Sequence, residues 1–342
     1  MKNPVLIPRQ TLAIYGFMGA PLALVGYPIA IWLPAFYASH VGVSLAGVAT
    51  MLLLAKLSDV ITDPIIGVIS DRMRTPWGRR RPLILLGTPV LVVSIWFLFV
   101  PPAGVGEWYL LACIVGMYVG TSLIGLPYGA WGAEISPDYN QRARITAWRE
   151  QFTLIGLLVA AFIPFLVEQY GDGSIESIMR GMAIAIGFTA PVSAILLAIF
   201  VRETPPENIS GKNEMPFIEG VKRIWANNPM RIVIGLILIV TMAEAFRNAL
   251  SLFFMRAVIQ ASDVGTLYFA YFTAGLLAVP FWLWLGRKLG KHIAFSVTLI
   301  TVAIISAINM AFDQSDYTVF VIFFIAKGAC FGGLQFLPLA IL

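Results

Sequence analysis

The segment SLAGVATMLLLAKLSDVITDPIIGVI, residues 44–69, decides the fold of this chain. It is apolar over the length of a membrane-spanning helix, yet it contains Lys56, Asp59 and Asp63. Their spacing places the three side chains on one stripe of a helix. Because an ionised group at bilayer depth costs roughly 2.5–3.5 kcal/mol, all three must face a protein interior or a wet cavity. This pattern is typical of a protein that moves an ion or a polar solute across a membrane.

The rest of the chain is equally suited to lipid. Hydrophobic residues make up 59% of the 342 positions and charged residues 12%, whereas a soluble domain is about 25% charged. This composition excludes a water-soluble fold. Ten apolar segments can each cover the ~20 residues that a ~30 Å hydrocarbon core requires, which predicts an all-α polytopic membrane protein and not a barrel. The segments are residues 11–38, 44–69, 82–101, 107–135, 149–169, 181–201, 230–257, 265–285, 291–311 and 317–342.

The charged loops predict how the protein is oriented. Basic residues concentrate in the loops 70–81, 136–148, 202–229 and 286–292, and the alternate loops are acidic. The positive-inside rule therefore predicts a cytoplasmic N-terminus. We expect the membrane to be the plasma membrane, the inner membrane of a bacterium. These loops account for the net charge of +5 without a nucleic-acid partner. The expected partners are the lipid bilayer, a small-molecule solute and a monovalent cation, and the expected state is a monomer.

The longest polar stretch divides the chain into two parts. We predict an N-terminal six-helix bundle with the cation site over residues 1–201, a cytoplasmic linker over 202–229 and a C-terminal bundle of four helices over 230–342. Two related six-span halves would need twelve spans, and the sequence stops within its tenth apolar segment. We therefore expect the C-terminal bundle to be truncated or completed by another chain.

The acidic pair has the chemistry of a cation site. Asp59 and Asp63 lie one helical turn apart, which brings their carboxylates within about 6 Å. Thr62 adds a hydroxyl, and Pro64 frees a backbone carbonyl by removing its hydrogen bond. Two alternatives remain open at this point. The two carboxylates could share a proton, or Lys56 and the aspartates could form a purely structural ion pair beside a proline kink.

Two strings resemble a known family. One runs from Lys56 through Asp71 to TPWGRRRP at residues 75–82, and the other is LPYGAWGAEISPDYNQR at residues 126–142, followed by Trp148-Arg149. Together they resemble the glycoside–pentoside–hexuronide:cation symporters, the melibiose-permease branch of the major facilitator superfamily. The resemblance covers most of the N-terminal half, and the C-terminal half only by its pattern of spans. It implies a two-bundle architecture that exposes a central site alternately to each side.

The resemblance also implies a set of site residues. The coupling ion, Na⁺ or H⁺, is expected at Asp59, Asp63, Thr62 and Ser122, all of which carry oxygen. Lys56 and Arg149 match basic residues that line the same polar cavity. A cytoplasmic gate is expected from charged residues at the ends of neighbouring helices, although a solvated basic loop is the alternative. The gate residues are Asp71, Arg72, Arg79, Arg80, Glu134 and Arg142.

The sugar-binding residues of melibiose permeases are not retained. Where those proteins have acidic or aromatic side chains, alignment places Ala23, Gly125 and Gly129 here. A galactoside could not be held in the same way, although Gly125 and Gly129 are still expected to border the substrate cavity. In the seventh span, Glu244 and Arg247 lie three residues apart. They either pair with each other across the cavity, or the arginine meets an anionic substrate.

The sequence therefore predicts a secondary active transporter, a symporter that couples Na⁺ or H⁺ to a sugar or a related polar or amphipathic solute. A lipid or lysolipid transporter is an alternative, and so is a non-transporting membrane scaffold with the same fold. An enzyme is not expected, because no nucleophile–base pair or metal-ligand cluster converges in the spans. For the same reason we expect no cofactor.

Overall fold

The structure, a computed structural model, describes residues 6–203, 217–309 and 311–341. Within these ranges some side chains, most of them in residues 217–249 and 335–341, lie outside the description. This part of the chain is almost entirely helical. Its α-helices are α1 (Arg9–Phe17), α2 (Gly19–Ile31), α3 (Leu33–Phe36), α4 (Leu45–Arg72), α5 (Arg81–Phe99), α6 (Glu107–Glu134), α7 (Tyr139–Tyr170), α8 (Ile175–Phe200), α9 (Phe217–Ala226), α10 (Asn228–Ala257), α11 (Val264–Leu289), α12 (Lys291–Asn309) and α13 (Tyr317–Ile341).

These helices confirm the predicted all-α polytopic membrane protein. Within the described residues, nine helices are long and apolar enough to cross a bilayer. The predicted seventh span corresponds to α10, which has 30 residues, several of whose side chains lie outside the description. The predicted linker at 202–229 contains α9, and residues 204–216 of that linker lie outside the description. The division into bundles at this linker stays a prediction.

The first span is interrupted, although the sequence predicts one continuous segment over residues 11–38. Helices α1, α2 and α3 follow each other with breaks at Met18 and Trp32, and a π-helical turn over Tyr37–Val41 completes the span. Pro34 follows the second break and cannot donate a backbone hydrogen bond, which favours the interruption there. Gly42 ends the π turn in the left-handed region with φ of 86°, a conformation that glycine adopts without strain.

Two groups of helices form the core, and one contact region joins them. In the first group α5 packs on α6 and α8, α4 packs on α6, and α2 packs on α7; in the second, α11, α12 and α13 pack on one another. Helices α7 and α11 form the main contact between the groups. Tyr27 of α2 adds edge-on ring contacts to Tyr268 and Phe272 of α11, at centroid distances of 5.9 and 5.5 Å. The space between the two groups is therefore closed on one side by aromatic rings.

Helices α2 and α7 approach each other closely at Gly156. A Cβ atom at this position would lie 2.7 Å from the Cα atom of Ala20 on α2. We expect Gly156→Val to push the two helices apart and to reduce the free energy of unfolding by about 1–3 kcal/mol, the usual cost of overpacking. Gly67→Ala on α4 is the matched control, because a Cβ there meets nothing within 4 Å. Equal unfolding temperatures for the two variants would contradict this close approach.

Candidate transport site

The charged stripe of α4 forms a compact polar group. The ammonium of Lys56 donates to Oδ2 of Asp59 over 2.7 Å, and Asp59 is only 8% exposed. The second oxygen of Asp59, Oδ1, and Oδ1 of Asp63 are both buried and accept no hydrogen bond from the described residues. A buried, charged acceptor without a donor is costly. The helix thus presents two carboxylate oxygens, one turn apart, that are suited to a bound cation or proton.

Helix α6 presents a hydroxyl on the face that is turned toward this group. The ring of Tyr118 lies 4.6 Å from the Lys56 ammonium, which fixes that face of α6 against α4. Ser122 is one turn further along and lies on the same stripe. Thr62 of α4 donates its hydroxyl proton to the Ser58 carbonyl over 3.1 Å, so its oxygen can still accept or coordinate. The four predicted cation ligands therefore lie on two helices that pack on each other.

A chamber between the two helix groups adjoins this charged stripe. It consists of two cavities of about 490 and 510 Å³ that share Gly26, Ala30 and Thr241 in their linings. The first is lined by aromatic rings and by Arg247, whereas the second is mainly apolar and includes Tyr118. Arg247 therefore lies where the sequence predicts a substrate contact. Glu244, its predicted neighbour in the cavity, lies outside the described side chains.

The other predicted cavity residues border a smaller space of about 290 Å³. Gly125, Gly129 and Arg149 line it together with Glu150, and the Arg149 guanidinium donates to the Glu150 carboxylate over 2.9 Å. Sequence reasoning missed Glu150, because adjacent residues on a helix point in different directions. Ala23 lies in both this space and the 490 Å³ cavity, so the small side chains do face the predicted substrate region. Lys56 is more open, with 64% of its side chain exposed.

Four of the six predicted gate residues meet where α4 ends and α5 begins. The guanidinium of Arg80 pairs with Asp71 and with Glu134, both over 2.8 Å, and Arg79 pairs with the same Glu134 carboxylate. These contacts tie α4, α5 and α6 together at one end of the bundle. The other two predicted residues have different surroundings. Arg72 is exposed, and the Arg142 guanidinium donates to the Pro137 carbonyl over 2.9 Å.

Glu203 completes the cluster, and the sequence offered no signal for it. Its carboxylate accepts hydrogen bonds from the backbone N–H groups of Arg79, Arg80 and Arg81, the last two over 2.9 and 2.7 Å. It thus satisfies the first N–H groups of α5, where the helix dipole favours a negative charge. Gly78 precedes them with φ of 116°, and a Cβ there would collide with the Glu203 carboxylate. More than 120 residues separate these partners, which no local pattern can reveal.

Glu168 makes an equivalent contact at the opposite end, between the two helix groups. Its carboxylate, at the end of α7, accepts from the backbone N–H groups of Gly265 and Thr266 over 2.8 and 3.1 Å, at the start of α11. The N-cap residue Asp263 makes no side-chain cap there. Glu168 therefore supplies the capping charge from the other group of helices, a contact that the sequence did not predict.

We expect Glu168→Gln to weaken the junction at this end, because the amide carries no charge to meet the α11 dipole. Spin labels at Tyr170→Cys and Ser262→Cys, with both native cysteines replaced by serine, would report the separation. The distance distribution should broaden or lengthen in Glu168→Gln. Glu176→Gln is the matched control, since that exposed carboxylate pairs with Arg180 within its own helix. An unchanged distribution in Glu168→Gln would show that the carboxylate does not hold the two groups together.

Comparisons with known proteins agree with this architecture. A family model described as MFS/sugar transport protein matches residues 14–342. The chain is 24% identical over 340 residues to the inner membrane symporter YicJ of Escherichia coli (strain K12), covering 95% of this chain and 71% of that protein. It is 23% identical to the isoprimeverose transporter of Lactiplantibacillus pentosus, covering 77% and 56%. It is also 24% identical to the sodium-dependent lysophosphatidylcholine symporter 1 of Mus musculus, covering 98% and 70%.

Solved structures show the same fold at lower identity. The nucleoside transporter NupG superposes with a TM-score of 0.63 at 11% identity, covering 97% of this chain and 82% of that one. A D-xylose-proton symporter gives a TM-score of 0.63 at 16% identity, with coverages of 96% and 80%. The helical spans, this fold and the motif strings thus agree with the family model. The chain belongs to the MFS/sugar transport protein family, a family of membrane transporters and not of enzymes, and within it to the glycoside–pentoside–hexuronide:cation symporters.

Proposed function

We propose that this chain couples the movement of a monovalent cation to that of a small solute through the chamber between its two helix groups. The cation occupies Asp59 and Asp63, with Thr62 and Ser122 as further oxygen ligands. The observation that carries this proposal is the pair of buried carboxylate oxygens on α4 that accept no hydrogen bond within the part of the chain that the structure describes. Because the chain spans 56–71% of the length of the relatives named above, the activity is proposed for the protein to which it belongs.

The net charge of Lys56, Asp59 and Asp63 favours a monovalent ion over a divalent one. Lys56 contributes one positive charge and the two aspartates contribute two negative charges, so one negative charge remains at bilayer depth. A single Na⁺ or a proton neutralises it, and a divalent ion would leave an excess positive charge. Lys56 already occupies one oxygen of Asp59, which leaves the oxygens on the Asp63 side for the ion.

The solute binds in the chamber and is held differently from a galactoside. Aromatic rings of Tyr27, Tyr268, Tyr271 and Phe272 line the 490 Å³ cavity. Such rings pack against the apolar faces of a sugar, and Arg247 can donate to its hydroxyl or acidic groups. By linkage, a cation that stabilises the solute-binding state is itself bound more tightly when the solute is present. Movement of one helix group against the other then exposes the chamber alternately to each side.

An amphipathic solute is the second candidate, and one observation favours it. The 510 Å³ cavity is lined by apolar side chains such as Leu22, Val25, Ile29, Leu52 and Met117, which suit an acyl chain better than a sugar. It adjoins the cavity that contains Arg247, and the two share Gly26, Ala30 and Thr241 in their linings. A ligand with a charged head and an apolar tail would fill both spaces.

A thermal-stability screen distinguishes these solutes. The purified protein is unfolded with sugars, organic acids and lysolipids, in Na⁺ or in choline at equal ionic strength and at several pH values. We expect one solute class to raise the unfolding temperature more in the presence of the coupling ion, because the two ligands bind cooperatively. A class that stabilises equally in Na⁺, in choline and across pH would not be a coupled substrate. If Na⁺ and protons have no effect with any solute, the cation site itself is wrong.

A further inference from the structure

A further cavity lies between α10, α12 and α13. Its volume is about 290 Å³, and only Arg247 is shared with the transport chamber. Three phenylalanines, Phe254, Phe320 and Phe324, form an apolar wall, and Lys327 of α13 joins Arg247 in the lining. The described part of the lining contains no aspartate or glutamate. The cavity therefore combines two cations with an aromatic wall.

The two cations lie near the middle of the bilayer. Arg247 is ten residues before the end of α10 at Ala257, and Lys327 is ten residues after the start of α13 at Tyr317. At 1.5 Å of rise per residue, each is about 15 Å from its helix end, half of a ~30 Å hydrocarbon core. Lys327 is 7% exposed. Charges at this depth favour an anion beside them, because the surroundings solvate them poorly.

An amide at the end of α12 provides a second, independent sign of a ligand. Asn309 lines the same cavity and is 9% exposed, and its Oδ1 atom is buried without a hydrogen-bond donor among the residues that the structure describes. A buried acceptor of this kind is normally satisfied by protein, water or ligand. Asn309 is the last residue of α12, so this acceptor lies nearer the membrane surface than the two cations. The cavity thus presents donors at its deep end and an acceptor at its shallow end.

We propose that this cavity binds a compact amphipathic anion: a carboxylate or phosphate meets Arg247 and Lys327, and an apolar body packs on the three phenylalanines. A hydroxyl or water carried with the ligand donates to Asn309. Both cations can have a protein partner and still bind the anion, because a guanidinium has five N–H donors and an ammonium has three. Each can therefore keep an existing contact and also meet the anion. This site shares Arg247 with the proposed solute chamber, whereas Lys327, Asn309 and the three phenylalanines line this cavity and not the chamber.

The test compares a charged probe with a neutral one of the same shape. Thermal unfolding of the purified chain is followed against benzoate and against benzyl alcohol, with Na⁺ and ionic strength held constant by chloride. A second arm uses nanodiscs containing phosphatidate or only phosphatidylcholine, to distinguish a free acid from a lipid headgroup. We expect stabilisation by benzoate or by phosphatidate and none by the neutral counterpart. If neither anion stabilises the protein, the proposal is overturned.

Two variants locate the effect. Lys327→Gln removes one cation, and Ser306→Phe fills the cavity from α12 without changing any charge. Both should weaken the apparent affinity for the anion at least tenfold, whereas Lys288→Gln, an exposed cation at the end of α11, should not. Should Lys327→Gln fail to fold, Ser306→Phe decides the question alone. Undiminished anion binding in Ser306→Phe, or an equal loss in Lys288→Gln, would place the anion elsewhere and refute the site.

Discussion

Asp59→Asn is expected to abolish cation-driven uptake in membrane vesicles. The substitution removes one of two negative charges, so Lys56 and Asp63 balance each other and no charge remains for a cation to neutralise. Loss of a buried charge partner costs about 3–5 kcal/mol, and the lower value already weakens binding roughly 100-fold. Asparagine is nearly isosteric with aspartate, so folding should be retained. Uptake is measured under an imposed Na⁺ or proton gradient, and cation binding by the purified protein is measured in parallel.

The control and a companion variant separate a cation site from a structural ion pair. Asp172→Asn should leave uptake unchanged, because Asp172 lies in an exposed loop where hydrogen bonds from Ser174 and Ser177 lower its carboxyl pKa. Lys56→Gln should bind the cation more tightly than the unmodified protein, since two unbalanced carboxylates remain. If Lys56→Gln only destabilises the fold and Asp59→Asn transports normally, the stripe on α4 is structural and the proposed coupling site is wrong.

Glu134→Ala is expected to cause the second large effect, a loss of about 3 kcal/mol in the free energy of unfolding. Its carboxylate pairs with both Arg79 and Arg80, and the Arg80 side chain is only 5% exposed. Removing it leaves a buried guanidinium with the mostly exposed Asp71 as its remaining acidic partner in this cluster. The cost is near the lower end of the range for buried pairs, because Glu134 itself is partly exposed. Unfolding in mixed detergent micelles gives the free energy directly.

Arg72→Gln is the matched control for Glu134→Ala. It removes a cation from the same helix end, but Arg72 is exposed, whereas the Arg80 side chain is buried. Surface charges of this kind contribute about 0–1 kcal/mol. If the two variants lose the same small amount of stability, the Arg80 cluster does not tie α4, α5 and α6 together. If Glu134→Ala keeps its stability but changes transport, the cluster acts in gating alone.

The sequence contained enough information for the fold class and for the location of the candidate site. The thickness of the bilayer sets the length of a spanning helix at about 20 apolar residues. The helical spans could therefore be predicted without knowing how they pack. Lys56, Asp59 and Asp63 could be found because a charge inside such a segment is costly and their spacing is a local property of one helix. The motif strings around Asp71 and Glu134 predicted the family, because they resemble those of its members.

Only the tertiary structure decided which residues that are far apart in the sequence lie close together in the fold. Glu203 reaches the start of α5, Glu168 reaches the start of α11, and Asn309 lines one cavity with Lys327, although no sequence spacing connects these partners. Hydrophobic periodicity records which face of a helix is buried, whereas the neighbour of that face depends on how whole helices pack. Local charge and length therefore determined the spans and the acidic stripe, and helix packing determined the chamber, the helix-end contacts and the cavity between α10, α12 and α13.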